Sequence, residues 1–324
     1  MSSLSLRASK RFKATPPTFT PWVCHACRQR RTFAFTTPFN QQQPPPPQQQ
    51  QQDDNPTHFG FETISSSLKA SRVGAVFSSV ASNYDTMNDL MSLGIHRLWK
   101  DHFVRSLNPG IRPTSGKEQE GQRILDIAGG TGDIAQRLLD HATTINGDTK
   151  THVTISDINP AMLSEGRKRF AASPYTTADR VDFLEANAET LPTIESNSID
   201  LYTVAFGIRN FTHKDVALRE AFRVLKPGGV FACLEFTPHL NNSLLDAVYK
   251  RWSFGAIPLI GQVVAGDRES YQYLVESIER FPRQEEFRDM IKEAGFMVPG
   301  GGEGEGWEDL SAGIAAVHKG VKPV

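Results

Sequence analysis

Leu125-Asp126-Ile127-Ala128-Gly129-Gly130-Thr131-Gly132-Asp133 reads as the end of a buried strand, a glycine turn and the first residue of a helix. Gly129, Gly130 and Gly132 let the backbone turn sharply and approach a ligand with no Cβ in the way. The helix N-terminus just beyond favours a negative group, such as the carboxylate of an amino-acid moiety. The run is G-G-x-G and not G-x-G-x-x-G, so it lacks the pyrophosphate fingerprint of dinucleotide-binding sheets. An ordinary glycine turn is the competing reading, because a glycine motif alone has low specificity.

The chain on either side of this stretch alternates. Downstream, apolar runs at 152–156, 181–184, 199–205 and 230–235 read as strands, and 133–141, 160–171 and 215–225 as helices. Pro227, Gly228 and Gly229 read as a turn, 284–294 as a helix, Gly295 as its C-cap and 314–318 as a last strand. Strands alternating with helices imply a parallel sheet with helices on both faces, an α/β doubly wound (Rossmann-like) architecture. Ligands of such sheets bind outside the carboxyl ends of the strands, where strand order reverses. The site is therefore expected in the loops after Asp126, Ser156, Leu184 and Ala205.

Asp157 ends the second strand, 25 residues past Gly132. An acid there is placed to accept hydrogen bonds from both ribose hydroxyls of an adenosine. A helix N-cap is its other reading, although Asn159 before Pro160 also suits that role. Ala186-Asn187-Ala188-Glu189 follows the third strand, where an adenine would lie. Asn187 either holds the base edge or starts a turn.

Upstream, apolar residues at helical spacing form two runs between 72 and 107, before a polar loop at 108–121. Residues 40–56 are almost entirely Gln and Pro and bury too little apolar surface to order themselves. Residues 1–52 hold seven Lys or Arg and no acid, leaving 28 basic against 36 acidic residues, a charge of −8, on the other 272. A basic, hydroxyl-rich leader poor in acids is the composition of a transit peptide; a basic tail that binds nucleic acid or membrane is the alternative. The expected organisation is a mitochondrial transit peptide at 1–35, a Gln/Pro-rich linker at 36–57 and one enzyme domain at 58–324. An aromatic, helical insert at 238–282 interrupts its alternation. The acidic body argues against a nucleic-acid partner, since phosphate neutralisation needs basic surface. The most apolar stretch, 253–266, is shorter than the roughly 20 residues of a membrane span, so any membrane contact is peripheral. Three cysteines make no disulfide framework, and the lone Cys24–Cys27 pair lacks the further ligands a metal site needs. No metal is expected.

Several stretches together resemble one family. They are Val76-Phe77 with Ala81-Ser82-Asn83-Tyr84-Asp85-Thr86-Met87-Asn88, the glycine turn, Phe206-Gly207-Ile208-Arg209-Asn210, Leu225-Lys226-Pro227-Gly228-Gly229, and Tyr271-Gln272-Tyr273-Leu274-Val275-Glu276-Ser277-Ile278. The chain resembles the ubiquinone/menaquinone biosynthesis C-methyltransferase family over 76–321, most of all its mitochondrial branch. The resemblance implies a class I S-adenosylmethionine-dependent methyltransferase fold. Its features would be a mostly parallel seven-stranded sheet, N-terminal helices and a helical insert. It implies S-adenosylmethionine as cofactor and C-methylation of 2-methoxy-6-polyprenyl-1,4-benzoquinol in ubiquinone formation. It further implies a peripheral place on the matrix side of the inner membrane, other ubiquinone-biosynthesis proteins as partners in a complex, and a homodimer. Thr131, Asp157, Asn187 and Ala188 are the implied cofactor contacts. Ala205 stands where bacterial relatives carry a Ser that serves the cofactor site, and Gly266 where Asn is expected.

Methylating a ring carbon requires a quinol hydroxyl to lose its proton, so the site needs a base and a cation or donor for the phenolate. Arg209, charged at all physiological pH, is the candidate for that oxyanion, with a structural salt bridge as its other reading. Tyr84 either passes a proton or covers the sulfonium with its ring. Asp133 either orders a water or is a first-turn acid on the helix dipole. His96, His102 and His213 are further candidates for the base. The rival functions are a nicotinamide oxidoreductase, a methyltransferase for RNA or protein, and a catalytically silent scaffold. They meet, respectively, a missing fingerprint, an acidic body, and intact glycines with Asp157 and Arg209.

Overall fold

The hairpin β1 (Pro56–Phe59) and β2 (Glu62–Ser65) is the first element of a computed structural model of the chain. The residues it describes are 55–81, 88–89, 92–111, 121–240, 242–299 and 306–324, all within one compact unit, Gln51–Val324. The hairpin starts two residues inside the stretch read as linker. Thr57, Phe59, Thr63 and Ile64 favour strands, but an isolated two-stranded hairpin is only marginally stable. What orders it is tertiary: Phe59 stacks on Tyr273 with ring centroids 4.2 Å apart, and the Arg72 guanidinium lies 4.2 Å above the Phe59 ring.

Next come the helices α1 (Ser66–Val80) and α2 (His96–Leu107), then β3 (Arg123–Ile127), α3 (Asp133–Thr144), β4 (His152–Asp157), α4 (Pro160–Phe170), the short α5 (Pro174–Thr177) and β5 (Val181–Glu185). The chain continues through β6 (Ile199–Ala205), α6 (Lys214–Val224), β7 (Leu225–Phe236), α7 (Ser243–Ala265), α8 (Arg268–Glu279), α9 (Gln284–Glu293), β8 (Trp307–Leu310) and β9 (Ala315–Val321). The central sheet has seven strands in the order β5-β4-β3-β6-β7-β9-β8. Its first five are parallel, while β9 runs antiparallel to both β7 and β8.

Strands covered on both faces must be apolar on both faces, and β3 and β6 are nearly continuous apolar runs for that reason. Alternate side chains go to opposite faces. Ile124 joins a core with Trp99 and Phe103 of α2, Leu138 of α3 and Leu163 of α4. Leu125 and Ile127 join Leu218 and Val224 of α6 and Phe287 and Ile291 of α9. The expected class I α/β architecture is therefore present.

Two local readings change. Lys226–Gly229 does not separate a helix from a strand, because Leu225 already pairs with Ile199 and the ladder resumes at Leu201 with Val230. The intervening residues form a bulge, with Gly228 at φ 78°. The last strand is longer than expected and has a four-residue neighbour, β8, which follows the glycine-rich run.

Candidate active site

Strand order reverses between β4 and β6, on either side of β3, and the chain departs from both β3 and β6 in a strained form. Ala128 and Phe206, immediately after those strands, have φ of 52° and 57°. Non-glycine residues hold such angles only where the surroundings enforce them, often at ligand sites. The two strand ends touch: a Cβ on Gly207 would sit 2.4 Å from that of Ala128. Glycine is the residue that lets the β6 loop close against the β3 turn.

One cleft opens beside this contact, lined by Asp157, Asn187, Ala188, Gly207 and, from α1, Val73 and Phe77. Asp157 Oδ1 accepts the Asn159 backbone N–H at 2.8 Å. Burial pushes the Asp157 carboxyl up to about 6, against backbone N–H groups that favour its charge. The N-cap of α4 is Asn159, whose Oδ1 accepts from Ala161 and Met162 while Pro160 fills the first helical position. Asp157 is thus left to face the cleft. Asn187 starts a turn, its Oδ1 accepting the Glu189 N–H at 3.0 Å, and it also lines the cleft.

Helix α1 roofs this cleft through bonds that sequence gave no sign of. Asn159 Nδ2 donates to the Gly74 carbonyl at 3.0 Å and to Ser78 Oγ at 3.1 Å. Lys69 and Lys214 both donate to the Phe211 carbonyl, at 3.1 and 3.2 Å. Burial, with Lys69 adding, pushes Lys214 down to about 7.

A second cavity lies under the glycine turn, lined by Gly129, Gly130, Thr131, Lys100, Asp126 and Asp133. Asp126 is 1% exposed; its Oδ1 accepts from Thr203 Oγ1 at 2.7 Å, and its Oδ2 has no partner among the described residues. Burial pushes this carboxyl up to about 7, the Thr203 bond opposing and the Asp133 and Asp157 charges adding. A folded-state value above that of an unfolded Asp means Asp126 favours the fold fully below about pH 4 and loses that contribution as pH rises through about 7. Asp126→Asn keeps the Thr203 contact without the ionisation. Denaturant unfolding at about pH 5 and about pH 8 should show the variant gaining up to about 3 kcal/mol on the parent between the two. An unaltered pH profile would contradict the assignment. Asp126 and Lys100 line this cavity and the sequence reading passed over both, though an acid inside an apolar strand was a visible signal.

Asp133 is the first residue of α3, and cations surround it. Its Oδ2 accepts from Lys100 Nζ at 2.9 Å, and its Oδ1 from Arg137 Nε at 3.1 Å, with Arg169 at 3.9 Å. Lys100 and Arg137 hold its carboxyl below the usual range despite burial.

Arg209 sits in a 3₁₀ turn, Ile208–Asn210, after β6. Its side chain is 1% exposed and pairs at 2.7 Å with Glu235, 2% exposed, at the end of β7. Nη1 also donates to the Phe206 carbonyl at 2.5 Å, Nε to Ser277 Oγ at 3.3 Å, and the backbone N–H to Glu235 Oε2 at 3.3 Å. The insert closes over this group: Tyr273 donates to Asn210 Oδ1 at 3.0 Å, and burial pushes Tyr249 up to about 12 although Arg209 pulls the other way. The structure thus gives Arg209 a buried salt bridge, and Arg209 lines neither cavity, although its neighbours Phe206, Gly207 and Asn210 line the cleft.

Tyr84, Cys24 and Cys27 lie outside the described residues. His96 is buried against Asp89, His102 bonds Glu308 and His213 precedes α6; none of the three lines either cavity. Ala205 lines the second cavity. Gly266 lines neither, but ends α7 at φ 68°, a left-handed cap that Asn also tolerates.

Residues 65–322 match the profile of the ubiE/COQ5 methyltransferase family. The chain is 54% identical over 266 residues to the mitochondrial 2-methoxy-6-polyprenyl-1,4-benzoquinol methylase of Schizosaccharomyces pombe, covering 82% of this chain and 84% of that one. It is 50% identical to the ubiquinone/menaquinone biosynthesis C-methyltransferase UbiE of Brucella suis, over 82% of this chain and 90% of that protein. Among solved structures, the [4+2]-cyclase SpnF shares the fold, with a TM-score of 0.53 at 17% identity over 79% of this chain and 96% of that one.

Proposed function

The chain belongs to the ubiE/COQ5 methyltransferase family, and from that premise we propose that it methylates a ring carbon of 2-methoxy-6-polyprenyl-1,4-benzoquinol in ubiquinone formation, using S-adenosylmethionine. The observation that carries the cofactor reading is Asp157, released from capping by Asn159 and aimed at a cleft that Asn187 and Ala188 also line. The glycine cradle fits the same group. Gly130 holds φ 48°, a left-handed angle that strains any residue with a Cβ. Asp157 would take the ribose hydroxyls, the loop of Asn187 and Ala188 the adenine, and the backbone of Gly129, Gly130, Thr131 and Gly132 the methionyl end. When bound, S-adenosylmethionine supplies an electrophilic methyl carbon on a sulfonium.

The acceptor ring becomes nucleophilic only as its hydroxyl loses a proton, and a fixed cation favours that state. Arg209 would hold the phenolate oxygen. Glu235, Phe206 and Ser277 fix its Nη1 and Nε edge, and with the side chain 1% exposed the acceptor would reach Nη2 only as the insert opens. Tyr249 keeps its proton at physiological pH and serves as a donor, not a base. Tyr84 remains a proton carrier or ring cover in this scheme. Asp133 acts through Lys100, which it positions.

We place the enzyme in mitochondria, supported by the basic leader and the mitochondrial relative, and at the matrix face of the inner membrane. No described helix is long and apolar enough to cross a membrane. Helix α7 exposes Leu244, Val248, Leu259 and Val263, which favour a contact with the lipid surface that stores a polyprenyl substrate or with a second copy of the chain. The insert would receive the prenyl tail, and other ubiquinone-biosynthesis proteins would dock nearby. Incubating the full chain with labelled cofactor and the quinol, then mass analysis, tests the activity. One labelled methyl on a ring carbon supports it; label on oxygen or no transfer overturns it.

A further inference from the structure

Two ammonium groups in this fold share one neutral oxygen. Lys69 of α1, 5% exposed, and the partly buried Lys214, first residue of α6, donate to the Phe211 carbonyl from 3.1 and 3.2 Å. Their nitrogens are no farther apart than those two distances laid end to end. One phosphate group can bridge that span with two charge-assisted hydrogen bonds. A single ammonium is enough to satisfy the carbonyl, and each carries three donors. The second adds repulsion where a charge without a counter-ion is costly. Neither lysine makes an ion pair among the described residues. The carboxylates whose charges reach them are committed elsewhere. Glu189 Oε1 accepts the Thr212 and His213 backbone N–H groups, both at 2.9 Å, and Glu235 holds Arg209.

Two more basic groups stand beside this pair. His58 of β1 and Arg280, just past α8, are exposed, and the charges of Arg280, Lys69 and Lys214 all reach the His58 ring. Arg280 lies 5.5 Å from the centroid of the Phe61 ring and has no acid partner among the described residues. Acids on the same elements are spent: Glu62 on Arg72, Glu276 on the Phe61 N–H and Gln272, Glu279 on Lys250. Capping a carbonyl explains one lysine and not the set. We propose that Lys69, Lys214, His58 and Arg280 form a binding notch for a phosphate group. The phosphate would lie between the two lysines, with the guanidinium and the imidazole closing on its outer oxygens. None of the four lines the cofactor cleft. A free phosphate and a phospholipid headgroup present the same chemistry. Phe61 and Leu68, 47% and 54% exposed beside Arg280 and Lys69, would meet the acyl chains of a lipid.

Calorimetric titration of the full chain tests the notch with two soluble probes, inorganic phosphate and monomeric dihexanoylphosphatidylglycerol. Lys69→Met should weaken either probe by about 10–100-fold, the loss of a charge-assisted hydrogen bond. Arg280→Gln, at an exposed position that puts no fold at risk, should weaken it by about fivefold. Arg219→Gln, which removes a surface cation paired with Asp215, should change nothing. Tighter binding of the lipid probe supports the notch with a headgroup as its source; equal or tighter binding of inorganic phosphate supports it with the free ion. Three results overturn it: a parent that binds neither probe, a Lys69 or Arg280 variant no weaker than Arg219→Gln, or displacement of the probe by saturating S-adenosylhomocysteine, which would put the ion in the cofactor cleft.

Discussion

Asp157→Ala should weaken S-adenosylhomocysteine binding by at least about 100-fold with little change in stability. A carboxylate accepting two hydroxyl donors makes two charge-assisted hydrogen bonds, each contributing about 1.5–3 kcal/mol. Nothing else at the carboxyl end of β4 replaces them, because Asn159 is committed to capping α4 and to α1. The same carboxylate gives the binding a pH dependence. Burial raises the ligand-free Asp157 to about 6, and only the ionised form accepts both ribose hydroxyls in charge-assisted bonds. Affinity is therefore full above about 6 and falls by up to about tenfold per pH unit below it. Calorimetry across that range checks both claims. A variant with parental affinity, or a pH-independent parent, would remove Asp157 from the site.

Arg209→Ala should cost about 3–5 kcal/mol of stability, because it leaves Glu235 buried and unpaired at the end of β7. It should also lower turnover by about 10²–10³-fold, the usual loss when one oxyanion donor goes. The first effect alone would follow from a structural ion pair. The double variant Arg209→Met, Glu235→Leu separates them: it buries no charge, so it should regain most of the stability. Its turnover should stay at the level of the single variant. Denaturant unfolding and steady-state rates on the same preparations decide. If turnover returns with stability, Arg209 holds the fold and not the phenolate.

Much of this architecture was legible because a parallel sheet covered on both faces writes itself as apolar runs. The strand at 199–205 matches the observed element end to end. What escaped is what tertiary contact creates. The hairpin at Pro56–Ser65 is too short to stand alone and owes its order to Tyr273 and Arg72. The glycine turn and Asp157 could be placed because loop position follows from strand order. The partners of charged residues could not, since Lys100 meets Asp133 across 33 residues and Arg209 meets Glu235 across 26. Asp133 reads from sequence as ordering a water or as a first-turn acid, and only the fold shows the three cations around it.

Amide hydrogen exchange of the full chain with and without S-adenosylhomocysteine bears most directly on the idea that consecutive strand ends hold the cofactor. Protection should rise at 128–133, 157–159 and 186–189, the segments leaving the carboxyl ends of β3, β4 and β5, while the loops at their amino ends stay unchanged. Protection at the amino-end loops instead, or none at 157–159, would contradict it.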